Sequence, residues 1–217
     1  MEAQGSIIKS ITTFIIMGGP PMWLVMVVFA IGLAIAFERF RTLTKKFDTD
    51  GPSFMNELQR YILSNDVQGA IRICSGTTAL LPKVLKSGLK RANQKPEHIQ
   101  NALDATALEV IPKVEMRLGY LSLIANISTL IGLTGTIMGL IEAFSSIAAA
   151  DPAQRSELLA RGLALGMNTT LMGLICAIIM MVIHSFLSAK ADKIVSEIDE
   201  YSVKLMDLLL VKEEKES

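Results

Sequence analysis

Leu118-Gly-Tyr-Leu-Ser-Leu-Ile-Ala-Asn-Ile-Ser-Thr-Leu-Ile-Gly-Leu-Thr-Gly-Thr-Ile-Met-Gly-Leu-Ile141 contains no Asp, Glu, Lys or Arg. Two further windows, from Ser10 to Phe37 and from Gly162 to Ala189, are equally bare of charge. A helix crossing a bilayer needs about 20 largely apolar residues, and each window supplies them. The 217-residue chain is only 19% charged, below the roughly one quarter of an ordinary soluble domain, and its mean hydropathy is +0.44. The windows predict an all-α integral membrane protein with three transmembrane helices and long helices extending into a cytoplasmic helical domain. The 21 basic residues balance 21 acidic ones. That gives no basic surface for phosphate backbones, so nucleic acid is excluded as a partner and membrane lipid takes its place.

Working outward, Gly18, Gly19, Pro20 and Pro21 interrupt the first window, because two missing amide donors oppose a helix running through them. Ser6–Met17 therefore reads as a short interfacial helix within an outer segment 1–21, and 22–40 as the first span. Trp23 then lies at the lipid–water boundary, where indoles concentrate. Lys9 stands alone before a long apolar stretch with no clear cleavage site, so the first span is kept rather than processed as a signal peptide. Thirteen of the 21 basic residues fall between Arg39 and Arg117, and cytoplasmic flanks carry the Lys/Arg excess. This orients 41–116 as a cytoplasmic domain, 117–145 as the second span, 146–157 as an outer loop, 158–189 as the third span and 190–217 as a cytoplasmic C-terminal helix. Arg155 and Arg161, beside Asp151 and Glu157, stand against that orientation.

Within 41–116 the pattern predicts helices over Ser53–Leu63, Asp66–Cys74 and Leu81–Gln94. A last helix starts at Glu97 and runs through Arg117 into the second span. Asp66 is an expected N-cap, Pro96 suits a first turn, and Pro112 should bend the last helix near the membrane surface. After the third span, Ile194, Ile198, Tyr201, Leu205 and Leu208 form a heptad-like seam. Glu213–Ser217 is expected to fray.

Cys74 and Cys176 fall in different compartments of this layout, as do His98 and His184, so neither a disulfide nor a Cys/His metal site is expected. A phosphate-binding loop ending in Gly-Lys-Ser/Thr is missing, and no enzyme constellation emerges. The polar content of the second and third windows is more informative. Thr129, Gly132, Thr136 and Gly139 share one helix face, and Gly166, Thr170, Gly173 and Ala177 share another, with Asn168 and Thr169 alongside. Gly132, Gly135, Gly139, Gly166 and Gly173 read as helix-packing positions, and Gly135-x-x-x-Gly139 is a common close-approach motif. Hydroxyls and amides in hydrocarbon need partners, and they pack helices, bond their own backbone or line an interior path. Thr136, Thr169, Thr170 and Asn168 are thus candidate ion-pathway residues. Glu142, at the end of the second window, reads either as a vestibule carboxylate or as a hydrated helix end.

The run Arg117–Phe144, with its Gly-Leu-x-Gly-Thr-x-x-Gly core, and the run Gly162-Leu-Ala-Leu-Gly-Met-Asn-Thr-Thr-Leu-Met-Gly-Leu174 resemble the last two helices of the MotA/TolQ/ExbB proton-channel family. Gly19-Pro20 and Glu38-Arg39 fit as well. The resemblance implies the ion-conducting subunit of a bacterial inner-membrane motor stator, with a periplasmic N-terminus and a cytoplasmic C-terminus. Five copies would surround two copies of an ExbD/TolR/MotB-like single-span protein, and a proton or sodium gradient would drive mechanical work through that partner. By position, Thr136 and Thr170 match the family's path-facing threonines.

Where ExbB and TolQ carry a glutamate in Gly-Ile-Ala-Glu-Ala, this chain has Leu165 in Gly162-Leu-Ala-Leu-Gly166. By resemblance, the titrating acid is then an aspartate of the partner. Thr169-Thr170 is similar to the threonine pair of sodium-driven stators, which makes Thr136, Thr169 and Thr170 candidate sodium ligands, a hard cation favouring oxygen. Thr169 is turned about 100° from Thr170 on an ideal helix, so both face one ion only after local adjustment. The cytoplasmic segment of about 75 residues is ExbB/TolQ-sized. The competing reading is a non-conducting scaffold that anchors a helical complex. Whether the load is gliding, swimming, outer-membrane transport or defence is not written in this chain.

Overall fold

The computed structural model describes residues 18–47, 49–148 and 150–216, with side chains to Val211. The expected helix Ser6–Met17 lies outside them. The protein is 88% helical, with no strand among the described residues, and three of its helices are long and apolar enough to cross a membrane. Helix α1 spans Gly19–Arg41 and passes into a π-helical turn, Thr42–Phe47. Then follow α2 (Gly51–Leu63), α3 (Val67–Ser75), α4 (Leu80–Leu89), α5 (Pro96–Glu115), α6 (Leu118–Ala148) and α7 (Arg155–Glu216).

Two compact units result. One comprises Met1–Phe37 with Gly119–Ser185, the other Glu38–Leu118 with Phe186–Ser217. The chain passes between them within a few residues of where the charge-free windows end. In the first unit α1, α6 and α7 turn large apolar side chains outward, among them Trp23, Ile31, Ile137, Ile178 and Val182. Such a surface suits lipid or neighbouring apolar helices rather than water. Inside, Met22, Leu121, Ala125, Cys176 and Met180 are buried. Gly32 admits Met180, whose Sδ lies 2.7 Å from where a Cβ would stand.

The second unit owes its core to amphipathic helices. Leu58 and Ile62 of α2, Leu85 and Leu89 of α4, and Ile99, Leu103, Val110 and Val114 of α5 are all buried. Each such side chain contributes about 1.5–3 kcal/mol relative to exposure. Helix α2 packs on α3, α3 on α4 and α4 on α5. Ser87 Oγ lies at the contact of the last pair, 2.6 Å from Val84 O of its own helix and 2.9 Å from Ala102 O of α5. The helix ends follow capping chemistry: Asp66 Oδ1 accepts from Gly69 N at 2.8 Å. Asn65, at φ 61°, closes α2 with Asn65 N bonded to Ile62 O and Asp66 N to Tyr61 O, the paired pattern of a left-handed helix stop.

Several expectations are corrected. Helix α4 stops at Leu89 and turns occupy Lys90–Asn93, because Arg91 N and Ala92 N bond three residues back, to Gly88 O and Leu89 O. The fifth helix does not run through Arg117. It ends at Glu115, just past Pro112, and Arg117 adopts φ 67° before α6 begins. That left-handed residue places its Nη1 at 2.6 Å from Glu38 Oε2, and Arg39, only 2% exposed, donates from Nη1 to Lys113 O at 3.3 Å near the end of α5. The α7 seam buries Ile194, Ile198, Tyr201 and Leu205 but ends on Leu209, not Leu208, which follows from 3.6 rather than 3.5 residues per turn. The helix continues to Glu216, into the stretch expected to fray. Before α7, Gln154 N bonds to Asp151 O in a turn.

Candidate functional site

The site lies in the first unit, where α6 and α7 approach until backbone meets backbone. A Cβ on Gly132 would stand 3.2 Å from Thr170 Cα, and one on Gly173 would stand 2.6 Å from Ser128 O. At Gly139 it would meet Gly162 O at 2.7 Å, and at Gly166 it would meet Thr136 Cα at 2.8 Å. The spacing of these glycines puts all of them on the contact, and only a residue without a side chain permits it. Gly162 belongs to the same seam: its own Cβ would collide with Ala143 Cβ at 2.5 Å. The sequence reading passed over it, although Gly162-x-x-x-Gly166 repeats the spacing of Gly135-x-x-x-Gly139.

Close approach brings hydroxyls and carbonyls of opposite helices together. The Thr136 and Thr170 hydroxyls are hydrogen-bonded to each other. Thr170 Oγ1 also lies 2.8 Å from Gly132 O and 3.3 Å from Gly166 O, and Thr136 Oγ1 lies 3.4 Å from Gly166 O. Each hydroxyl has one proton to give. The short approach assigns that of Thr170 to Gly132 O, so Thr136 donates to Thr170 or to Gly166 O. Two hydroxyl and two carbonyl oxygens are thus linked by hydrogen-bond approaches at a half-buried stretch of the seam, within windows that carry no charged side chain. Such a group can accept a cation in place of water or pass a proton by rotation of hydroxyls.

Thr169 is not part of this group. It is fully buried and turned the other way, its Oγ1 at 3.1 Å from both Gly18 O and Leu165 O. Its methyl fills the space over Gly135, where a Cβ would meet Thr169 Cγ2 at 2.5 Å. The proposed sodium shell of Thr136, Thr169 and Thr170 therefore lacks the Thr169 hydroxyl in this geometry, because α7 stays regular through the pair. Asn168 is half-buried one step before, and Glu142 is exposed near the end of α6. Thr129 bonds its own helix, through Ala125 O at 3.2 Å. Among the described residues no group of three His, Cys, Asp or Glu side chains could hold a metal.

A model of the MotA/TolQ/ExbB proton channel family matches residues 77–200, more than half of the chain and all of this seam. The chain belongs to that family. MotA/TolQ/ExbB relatives similar to it include a protein described as a biopolymer transport protein ExbB homolog of Methanothermobacter thermautotrophicus. It is 23% identical over 183 residues, which cover 84% of this chain and 64% of that protein. Another is biopolymer transport protein exbB1 of Vibrio cholerae, 38% identical over 93 residues, or 43% of this chain and 40% of that one. The chain thus spans less than two thirds of the length of either relative. The three long apolar helices agree with a multi-pass membrane protein of that family.

Proposed function

We propose that this chain is the ion-conducting subunit of an inner-membrane motor, coupling a proton or sodium gradient to mechanical work through a single-span partner. The observation that carries the reading is the Thr136–Thr170 hydroxyl pair, flanked by the Gly132 and Gly166 carbonyls, between two helices without charged side chains over their apolar windows. A bare ion in hydrocarbon is costly, and oxygens already in place offset the loss of its water. This chain carries Leu165 where ExbB and TolQ have glutamate, so a carboxylate that binds and releases the ion comes from the partner, an ExbD/TolR/MotB-like helix with a membrane aspartate. Five copies of this chain around two such helices would place the threonine pairs in a ring about them. The ion enters from the periplasmic side past Glu142, pauses at a threonine pair beside the aspartate, and leaves to the cytoplasm as the partner helices step.

Flux tests this in liposomes holding the complex purified on a tag at this chain, under an imposed sodium or proton gradient. The reading expects flux in the wild type and none in Thr170→Ala, with the same oligomer in both. Wild-type flux in Thr170→Ala overturns it. Lost oligomerisation with no flux in the wild type favours the scaffold, for which the backbone contacts at Gly139 and Gly166 are the supporting observation.

A further inference from the structure

Thr169 and Thr170 are neighbours with opposite duties. Thr170 faces α6 and the four-oxygen group. Thr169, with no measurable exposure, reaches back 151 residues in sequence and bonds the carbonyl of Gly18 at 3.1 Å. Gly18 is the turn residue immediately before α1, itself buried and packed so tightly on Met22 that a Cβ would lie 2.5 Å from Met22 Cε. The next residue, Gly19, has φ 65°, and Pro20 and Pro21 follow, so the chain enters α1 through a turn whose amide donors are few. A buried carbonyl at such a turn needs a donor, and the Thr169 hydroxyl, whose one proton lies between the Gly18 and Leu165 carbonyls at 3.1 Å each, is placed to share it with the turn. The Thr169 methyl meanwhile seats on Gly135, one residue before Thr136. One side chain thus joins the start of α1 to α7 and fixes the height at which α7 lies on α6.

We propose that Thr169 is a positioning residue rather than an ion ligand: its hydroxyl ties the start of α1 to α7, and the tie holds the Thr170 hydroxyl at the Gly132 carbonyl. The role in transport rests on the conduction reading above, whereas the tie itself does not. Three variants separate the possibilities. Thr169→Val keeps the branched shape on Gly135 and removes the hydroxyl. Thr169→Ser keeps the hydroxyl and removes the methyl. Thr170→Ala leaves the tie alone.

Hydrogen exchange on the full chain in lipid nanodiscs reads the tie directly. Exchange at the amides of Gly18, Gly19 and Met22–Leu24 should rise several-fold in Thr169→Val and stay at the wild-type level in Thr169→Ser and Thr170→Ala. Unchanged exchange in Thr169→Val overturns the tie, whatever the flux does. Flux in the purified complex, followed against ion concentration, reads the consequence. Thr169→Val should lower the maximal flux at least several-fold with the half-saturating ion concentration and the sodium-to-lithium preference unchanged, and Thr169→Ser should restore it. A shift in half-saturation or in ion preference makes Thr169 a ligand and overturns the assignment. An undiminished maximal flux in Thr169→Val overturns it as well. If the wild-type complex conducts nothing while the exchange pattern holds, the conduction reading fails and the tie stands.

Discussion

Replacing Gly139 by Ala puts the helix seam under direct test. Its added methyl would lie 2.7 Å from Gly162 O, 2.9 Å from Gly166 N and 3.0 Å from Gly166 Cα. All three are backbone atoms of α7, so no side chain can swing away. Ordinary contact begins at 3.4 Å, which means α6 and α7 must part by about 0.7 Å at that point. Overpacking of this kind costs about 1–3 kcal/mol. For a chain of this size each kcal/mol corresponds to roughly 2–4 °C in midpoint. The Thr136 Oγ1 to Gly166 O approach, already 3.4 Å, lies one turn away and should be lost with the separation. The assay is thermal unfolding of the full chain in detergent, paired with flux in liposomes. Gly119→Ala is the control, since nothing lies within 4 Å of a Cβ there. The expected outcome is a midpoint several degrees lower and weakened flux for Gly139→Ala, with Gly119→Ala at or slightly above wild type. Equal midpoints for Gly139→Ala and Gly119→Ala would refute the close backbone seam.

Other outcomes follow from the second unit. Asn65→Ala forces a Cβ-bearing residue without a helpful side chain into φ 61° and should cost about 1 kcal/mol, while Asn65→Gly should be neutral or stabilising; denaturant midpoints of the three proteins check this. Glu109 accepts hydrogen bonds from Lys113 at 2.7 Å and Lys83 at 2.8 Å, and these hold its carboxyl at about 2 instead of 4.5. A depressed acid stabilises the fold above its unfolded value and loses that contribution as pH falls from about 4.5 towards 2. Glu109→Gln should therefore flatten the acid limb of the stability–pH curve in that window, and a curve identical to wild type would contradict the bridge. Cys74 is buried and its thiol pushed up to about 11 by that burial, so a water-soluble thiol reagent at neutral pH should leave it unmodified in the folded protein.

Much of the fold was legible because charge is so costly in hydrocarbon that its absence over 118–141 marks a membrane helix without any alignment. The glycine face was legible too, since steps of three and four leave Gly132, Thr136 and Gly139 no other placement than one stripe. What escaped was set by partners distant in sequence. The break at Met116–Arg117 follows Pro112, but the partner that Arg117 meets there, Glu38, lies 79 residues away. The duty of Thr169 depends on the Gly18 carbonyl. Helical geometry alone gave the divergence of Thr169 from Thr170 and could not say what Thr169 would meet.

Conduction through the paired hydroxyls is tested most directly by a double-mutant cycle on flux, with Thr136→Val, Thr170→Val and the double variant in liposomes beside the wild type. Because the two hydroxyls are bonded to each other and both lie within 3.4 Å of the Gly166 carbonyl, either removal should disable the same group. The account predicts that both single variants and the double variant fall to the same low flux, with the oligomer intact in all four proteins. Independent, additive losses, or wild-type flux in either single variant, would contradict it.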